Sequence, residues 1–143
     1  HHWPREWLHG PESVDLDGYK FGCVVQGTVE FVDETFCAIV RLDDGNVGML
    51  HQSEVSDDCF HDITKFLAVG DRIKAMYVDH NEVDGRCSRL LLSTKALEVA
   101  PGDLLRCPQL VYEKAEETAK SYCQSVDAAA VRRKLRRFLR RKK

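Results

Sequence analysis

Residues 21–42 read FGCVVQGTVEFVDETFCAIVRL, and the spacing of their apolar side chains decides the fold. Cys23, Val25, Gly27, Val29 and Phe31 alternate with Val24, Gln26, Thr28, Glu30 and Val32, a period of two that predicts a β-strand. Phe36–Leu42 continues as a second strand, with Ala38, Val40 and Leu42 on one parity. Working outward, Asp43–Asp44–Gly45–Asn46 is a strong turn signal and Val47–His51 a third short strand. Residues 52–70 are polar and irregular, with Ile63, Phe66, Leu67 and Val69 available for a single helical turn. Gly70–Asp71 then opens a fourth strand over Arg72–Asp79. A turn at about 80–88, marked by Asn81, Asp84 and Gly85, leads to a fifth over Arg89–Thr94.

Five strands, with a helical turn between the third and fourth, follow the element order of a small Greek-key barrel. The OB-fold is the common solution, because closing the barrel removes most of the exposed sheet edge. Gly22, Gly27 and Gly48 mark places where long strands coil tightly. After Thr94 the period changes. Pro101–Gly102–Asp103 signals a turn with Asp103 as a helix cap, and Pro108 stands near the next start. Val111, Ala115, Thr118, Ala119, Tyr122 and Val126 recur at three- and four-residue spacing, and Val131, Leu135, Phe138 and Leu139 prolong the stripe. The pattern predicts one long helix over 109–140, ~45 Å at 1.5 Å per residue, whose last turns project or meet a partner. The expected fold is therefore mainly β with an α extension: a five-stranded OB-fold Greek-key barrel followed by a long C-terminal helix. The expected divisions are a lead-in segment (1–20), with Trp3, Trp7, Leu8 and Leu16 as isolated anchors, a barrel domain (21–97), and a linker and helix with a basic tail (98–143).

The 143 residues are 43% hydrophobic and 31% charged, an ordinary folded mixture with room for one domain and an appendage. No apolar run approaches the ~20 residues that span a bilayer, so no membrane role is expected. The opening His1–His2–Trp3–Pro4–Arg5 lacks the apolar core of a secretory signal and an initiator Met, as expected of a processed chain or a tag remnant. Six cysteines at 23, 37, 59, 87, 107 and 123 include no Cys-x-x-Cys pair, so reduced thiols are expected, with no metal site and no cofactor. The net charge of −2 conceals an asymmetry. Residues 131–143 hold nine Lys and Arg and no acid, which leaves the other 130 at a net −11.

Five blocks then make the chain recognisable: Gly22–Cys23–Val24–Val25–Gln26–Gly27–Thr28–Val29, Cys37–Ala38–Ile39–Val40, Gly48–Met49–Leu50–His51–Gln52–Ser53–Glu54, Val69–Gly70–Asp71, and Arg89–Leu90–Leu91–Leu92–Ser93. Together they resemble the S-one domain, an RNA-binding OB-fold repeat, over about 21–97. The continuation Leu92–Ser93–Thr94–Lys95–Ala96–Leu97–Glu98, Pro101–Gly102–Asp103 and Val111–Tyr112–Glu113–Lys114–Ala115–Glu116–Glu117 is similar to the segment after the last such domain in plastid and cyanobacterial relatives. The resemblance implies a chloroplast stromal protein of gene expression that binds single-stranded RNA on one barrel face through two aromatics, a His, an Asp and an Arg. Matched position by position, these are Phe36, His51, Asp79 and Arg89, with Arg86 as the second choice for the Arg. The second aromatic falls on Ile39, which offers no π-face.

Single-stranded RNA needs π-surfaces for bases and cations for phosphates. Phe36 supplies one platform. Tyr77, two residues before Asp79 and so expected on the same side of its strand, supplies another. The acidic body repels phosphate unless a local patch such as Arg72, Lys74, Arg86 and Arg89 overcomes it, and the same acidity suits a protein partner. Arg132, Arg133, Lys134, Arg136, Arg137, Arg140 and Arg141 form the strongest electrostatic feature and are expected to contact nucleic acid or a partner. Catalysis finds no support: Asp43–Asp44 and Asp57–Asp58 are adjacent loop pairs, and Ser53 and Ser56 near His51 lack an orienting acid. The expectation is thus a non-enzymatic RNA-binding component of a large complex, with no small-molecule substrate. The small ribosomal subunit is the first choice of host, and the plastid RNA polymerase, with the barrel making protein contacts, the alternative. An accessory domain of a nuclease is a third, weaker reading.

Overall fold

A computed structural model describes residues 18–34, 36–57, 62–83 and 86–141, with side chains described for all of these except 82, 83, 86–88, 138, 140 and 141. The lead-in anchors Trp3, Trp7, Leu8 and Leu16 lie outside the described residues. Five strands, β1 (Val24–Val32), β2 (Cys37–Leu42), β3 (Val47–His51), β4 (Arg72–Val83) and β5 (Arg86–Ser93), close into a barrel in the order β1-β2-β3-β5-β4. Every neighbouring pair is antiparallel except β3 and β5, whose parallel contact (Gly48 with Leu90, Met49 with Leu91) completes the circle. The Asp43–Asn46 turn holds because Leu42 N–H bonds Asn46 O and Gly45 takes φ 93°, a conformation glycine adopts without strain. A short 3-10 turn, Ile63–Lys65, stands between β3 and β4 and buries Ile63.

The barrel is narrow, and two glycines show where. A Cβ on Gly27 would lie 2.5 Å from the Arg41 carbonyl oxygen, and one on Gly48 2.5 Å from a Leu92 methyl. The interior is filled by Ala38, Val40, Leu50, Leu90 and Leu92, all at most 1% exposed.

Two expectations about the β4–β5 hairpin need correction. β4 runs on to Val83 and β5 begins at Arg86, so 80–83 and 86–88 are strand rather than turn, and Asp84 and Gly85 lie outside the described residues. Asn81 belongs to the ladder, opposite Arg89. The register also shifts between Tyr77 and Asp79, a β-bulge that breaks the simple alternation.

The single long helix is replaced by four segments: α1 (Asp103–Arg106), α2 (Pro108–Glu113), α3 (Ala115–Ser125) and α4 (Ala128–Arg141). Gly102 at φ 87° precedes α1, and Pro108 takes the first position of α2, where no N–H partner is required. Asp103 is the first residue of α1 rather than its cap. Its carboxylate accepts from Ala100 N–H and pairs with Arg106 at 2.7 Å, which together hold it below the usual carboxylate range. Val126 is extended (φ −127°, ψ 158°), and the Asp127 carboxylate then accepts Ala129 N–H to start α4 afresh. α4 therefore turns back onto the barrel instead of projecting. α1 is held by Glu98, whose carboxylate accepts from Ser56 Oγ at 2.7 Å, Asp57 N at 3.0 Å and Leu104 N at 2.9 Å.

Gly27→Ala forces a methyl against a backbone oxygen that cannot step aside. We expect a loss of about 1–3 kcal/mol in denaturant unfolding, the usual range for an overfilled core.

Candidate nucleic-acid interface

Cross-strand partners point to the same side of a sheet, so the register identifies the outer face. Ile39 lies opposite Met49, Met49 beside Leu91, and Leu91 opposite Asp79, which makes one row across four strands. Cys37 and His51 form the next rung. Arg41, two residues beyond Ile39 and hence on the same side, is partly exposed and pairs with Glu30 at 3.3 Å; this is the outside of the barrel. An outer row is ordinarily wet, yet Ile39, Met49, Leu91 and Asp79 are at most 3% exposed.

Phe36 and His51 are brought together. Their rings meet edge to face with centroids 5.1 Å apart. His51 ends β3, and its Nδ1 accepts the Ser53 N–H at 3.1 Å with Ser53 Oγ 2.7 Å away, which assigns the proton of the neutral ring to Nε2. Arg89 is half-buried on β5, and its guanidinium lies within electrostatic reach of Cys37, the strand partner of His51. Burial holds the Arg89 pKa below its ordinary value, with Cys37 opposing, so this cation is poorly hydrated. Burial pushes the Cys37 thiol up to about 12, with nearby Arg89 pulling the other way.

Tyr77 and Asp79 are placed differently from the expectation. The bulge takes Tyr77 off the side that carries Asp79. The Tyr77 ring is 3% exposed, its centroid 5.5 Å from that of Tyr19, and its hydroxyl lies 3.1 Å from His80 Nδ1. A ring so buried gives structure to the barrel and presents no open face to a base. Asp79 is sealed by α4: Arg136 reaches Oδ2 at 2.6 Å and Arg132 lies 4.0 Å from Oδ1. Arg132 also donates to the Val78 carbonyl at 2.7 Å and stands 5.5 Å over the Phe21 ring. Leu135, between these arginines on one helical stripe, is 2% exposed. The sequence signal for this docking was the Val131–Leu135–Leu139 spacing flanked by Arg, but nothing in it named Asp79 as the receptor.

The remaining cations divide cleanly. Arg72 forks onto Asp43 at 2.6 and 2.9 Å, and Lys74 reaches Glu116 at 3.3 Å, so the expected barrel patch is largely neutralised by the body's own acids. The side chains of Arg86, Arg140 and Arg141 lie outside the described residues. Arg133, Lys134 and Arg137 are exposed on the outer side of α4 and enter no ion pair among the described residues.

A family model described as the S1 RNA binding domain matches residues 19–95. Small ribosomal subunit protein bS1c of Spinacia oleracea is 43% identical over 108 residues, which are 76% of this chain and 25% of that protein. Small ribosomal subunit protein bS1 of Synechococcus sp. is 42% identical over 115 residues, 80% of this chain and 36% of its own length. Small ribosomal subunit protein bS1A of Synechocystis sp. is 36% identical over 109 residues, covering 76% and 32%. The chain thus spans between a quarter and about a third of these relatives.

Cys37 supplies a pH signature. Its pKa is higher folded than unfolded, so the stability it contributes is complete below pH 9 and is lost as pH rises towards 12. Between pH 8 and 10 we expect Cys37→Ala to lose less stability than the parent, by about 1 kcal/mol, in urea titrations at the two pH values.

Proposed function

Because this chain belongs to the S1 RNA binding domain family, an RNA-binding and non-catalytic one, we propose that it serves as a single-stranded RNA-binding element of a plastid small ribosomal subunit. The host and the compartment rest on the named relatives, two cyanobacterial and one from a plant. The observation that carries the RNA contact is the Phe36–His51 pair on the family's barrel, with a half-buried Arg89 within electrostatic reach of Cys37, the strand partner of His51. In this reading a base stacks on Phe36, whose ring the buried His51 (2% exposed) holds edge to face, and Arg89, already stripped of much of its hydration, meets a phosphate or a base edge.

The acidic body makes binding here weak by itself, and the tail supplies the missing attraction. Arg133, Lys134 and Arg137 offer three exposed cations on one helix. Neutralising phosphates with them releases condensed counterions, which is where most of the affinity for a nucleic acid strand originates.

Two measurements check this. Phe36→Ala is expected to cost about 1–3 kcal/mol in binding to a short single-stranded RNA, the worth of one stacked base; an unchanged affinity would instead favour the scaffold role at an RNA polymerase. Replacing Arg133, Lys134 and Arg137 together with Gln is expected to flatten the slope of log K against log salt by about 2, at roughly 0.7 per lost phosphate contact. An unaltered slope would remove the tail from the interface.

A further inference from the structure

We propose that α4 is a displaceable cover on the barrel's nucleotide face, and that single-stranded RNA binds by exchanging places with it. The inference rests on the RNA-binding reading above and adds to it how access is governed.

Asp79 is the starting point. It is matched to the acidic position of the family's RNA face, where a carboxylate accepts from base N–H groups. Here it is 3% exposed, and besides His80 at 3.8 Å its partners are two arginines of the chain's own C-terminal helix. A base cannot reach Asp79 while Arg136 is seated 2.6 Å from it. The row that leads to it, Ile39, Met49 and Leu91, is closed as well. At Asp79 the face is therefore occupied in the free protein, by a segment whose composition is itself suited to phosphate.

The exchange balances chemically. Arg132 and Arg136 give up one carboxylate and gain phosphates, which are anions of the same geometry and which accept forked hydrogen bonds equally well. Asp79 gives up two guanidinium partners and gains base N–H donors, so the buried carboxylate is not left uncompensated. Leu135 loses its cover, a cost in the ordinary range for one buried leucine, and an aromatic base is the apolar surface available to replace it. α4 is built to leave as a unit, because extended Val126 separates it from α3 and its own cap, Asp127, travels with it.

The test uses the full chain and a ten-nucleotide oligouridylate. Amide hydrogen exchange on the unmodified protein is expected to show residues 128–141 exchanging faster at saturating RNA. Unchanged or slower exchange there at saturation would overturn the cover. Leu135→Gln keeps every cation but weakens docking. It is expected to bind the oligonucleotide about 3–10-fold more tightly, because less of the protein is held in the closed state. Equal or weaker binding would again overturn the proposal. If neither protein binds the oligonucleotide at low salt, the RNA reading itself fails and the cover falls with it.

Discussion

A carboxylate with almost no access to water must have a cationic partner, and in this chain that requirement falls on Asp79. Its neighbours in the barrel meet it only when His80 is protonated. The adjoining outer-face residue is Leu91, and the imidazole of His80 stands 3.8 Å away. The compensation comes from Arg136 and Arg132, more than fifty positions along the chain. Around that contact the C-terminal helix is oriented: its apolar stripe faces the barrel at Leu135, and its surplus cations face water. The placement of α4 is thus a consequence of one buried charge as much as of apolar packing.

The charge asymmetry of the sequence takes a definite spatial form. Basic groups of the barrel are spent locally, Arg41 on Glu30, Arg72 on Asp43 and Lys74 on Glu116. Exposed pairs of this kind contribute little stability, but they remove those cations from any field a nucleic acid would sense. Among the described residues, the densest group of exposed cations outside these pairs is Arg133, Lys134 and Arg137 on α4. An acidic OB barrel is thereby given a cationic flank by an element that is not part of the barrel at all. The half-buried Arg89 is the exception, a cation kept on the barrel face itself.

The legible and illegible parts of the sequence divide along physical lines. β1 to β3 were readable because period-two alternation and the Asp43–Asn46 turn are local signals, and the observed strands match within a residue. The last hairpin was not. Asn81, Asp84 and Gly85 all favour turns, yet Asn81 is held in the ladder by its pairing with Arg89, a tertiary constraint that overrides local preference. Tyr77 was set on the wrong side because a bulge leaves no mark in an otherwise regular alternation. The long helix failed at Val126, where a continuous apolar stripe hid a break. The Asp127–Ala128–Ala129 cap was present in the text but weaker than the periodicity around it. Phe36 and His51 were found through the family pattern and do meet in space. That Asp79 is taken by the tail depends on folding across the whole chain, and no short-range pattern encodes it.

The extended residue at 126 also fixes how tightly α4 is held without any change in its contacts. Only Val126 and Asp127 tether it to α3, which meets the barrel through Glu116 on Lys74. A ligand on so short a leash experiences an effective concentration on the order of millimolar or above at its docking site, so even a weak helix–barrel affinity keeps it mostly seated. Occupancy is then independent of how much protein is present. The strength of the hold is set by leash length, and inserting a few flexible residues after Ser125 would lower it without touching a single contact.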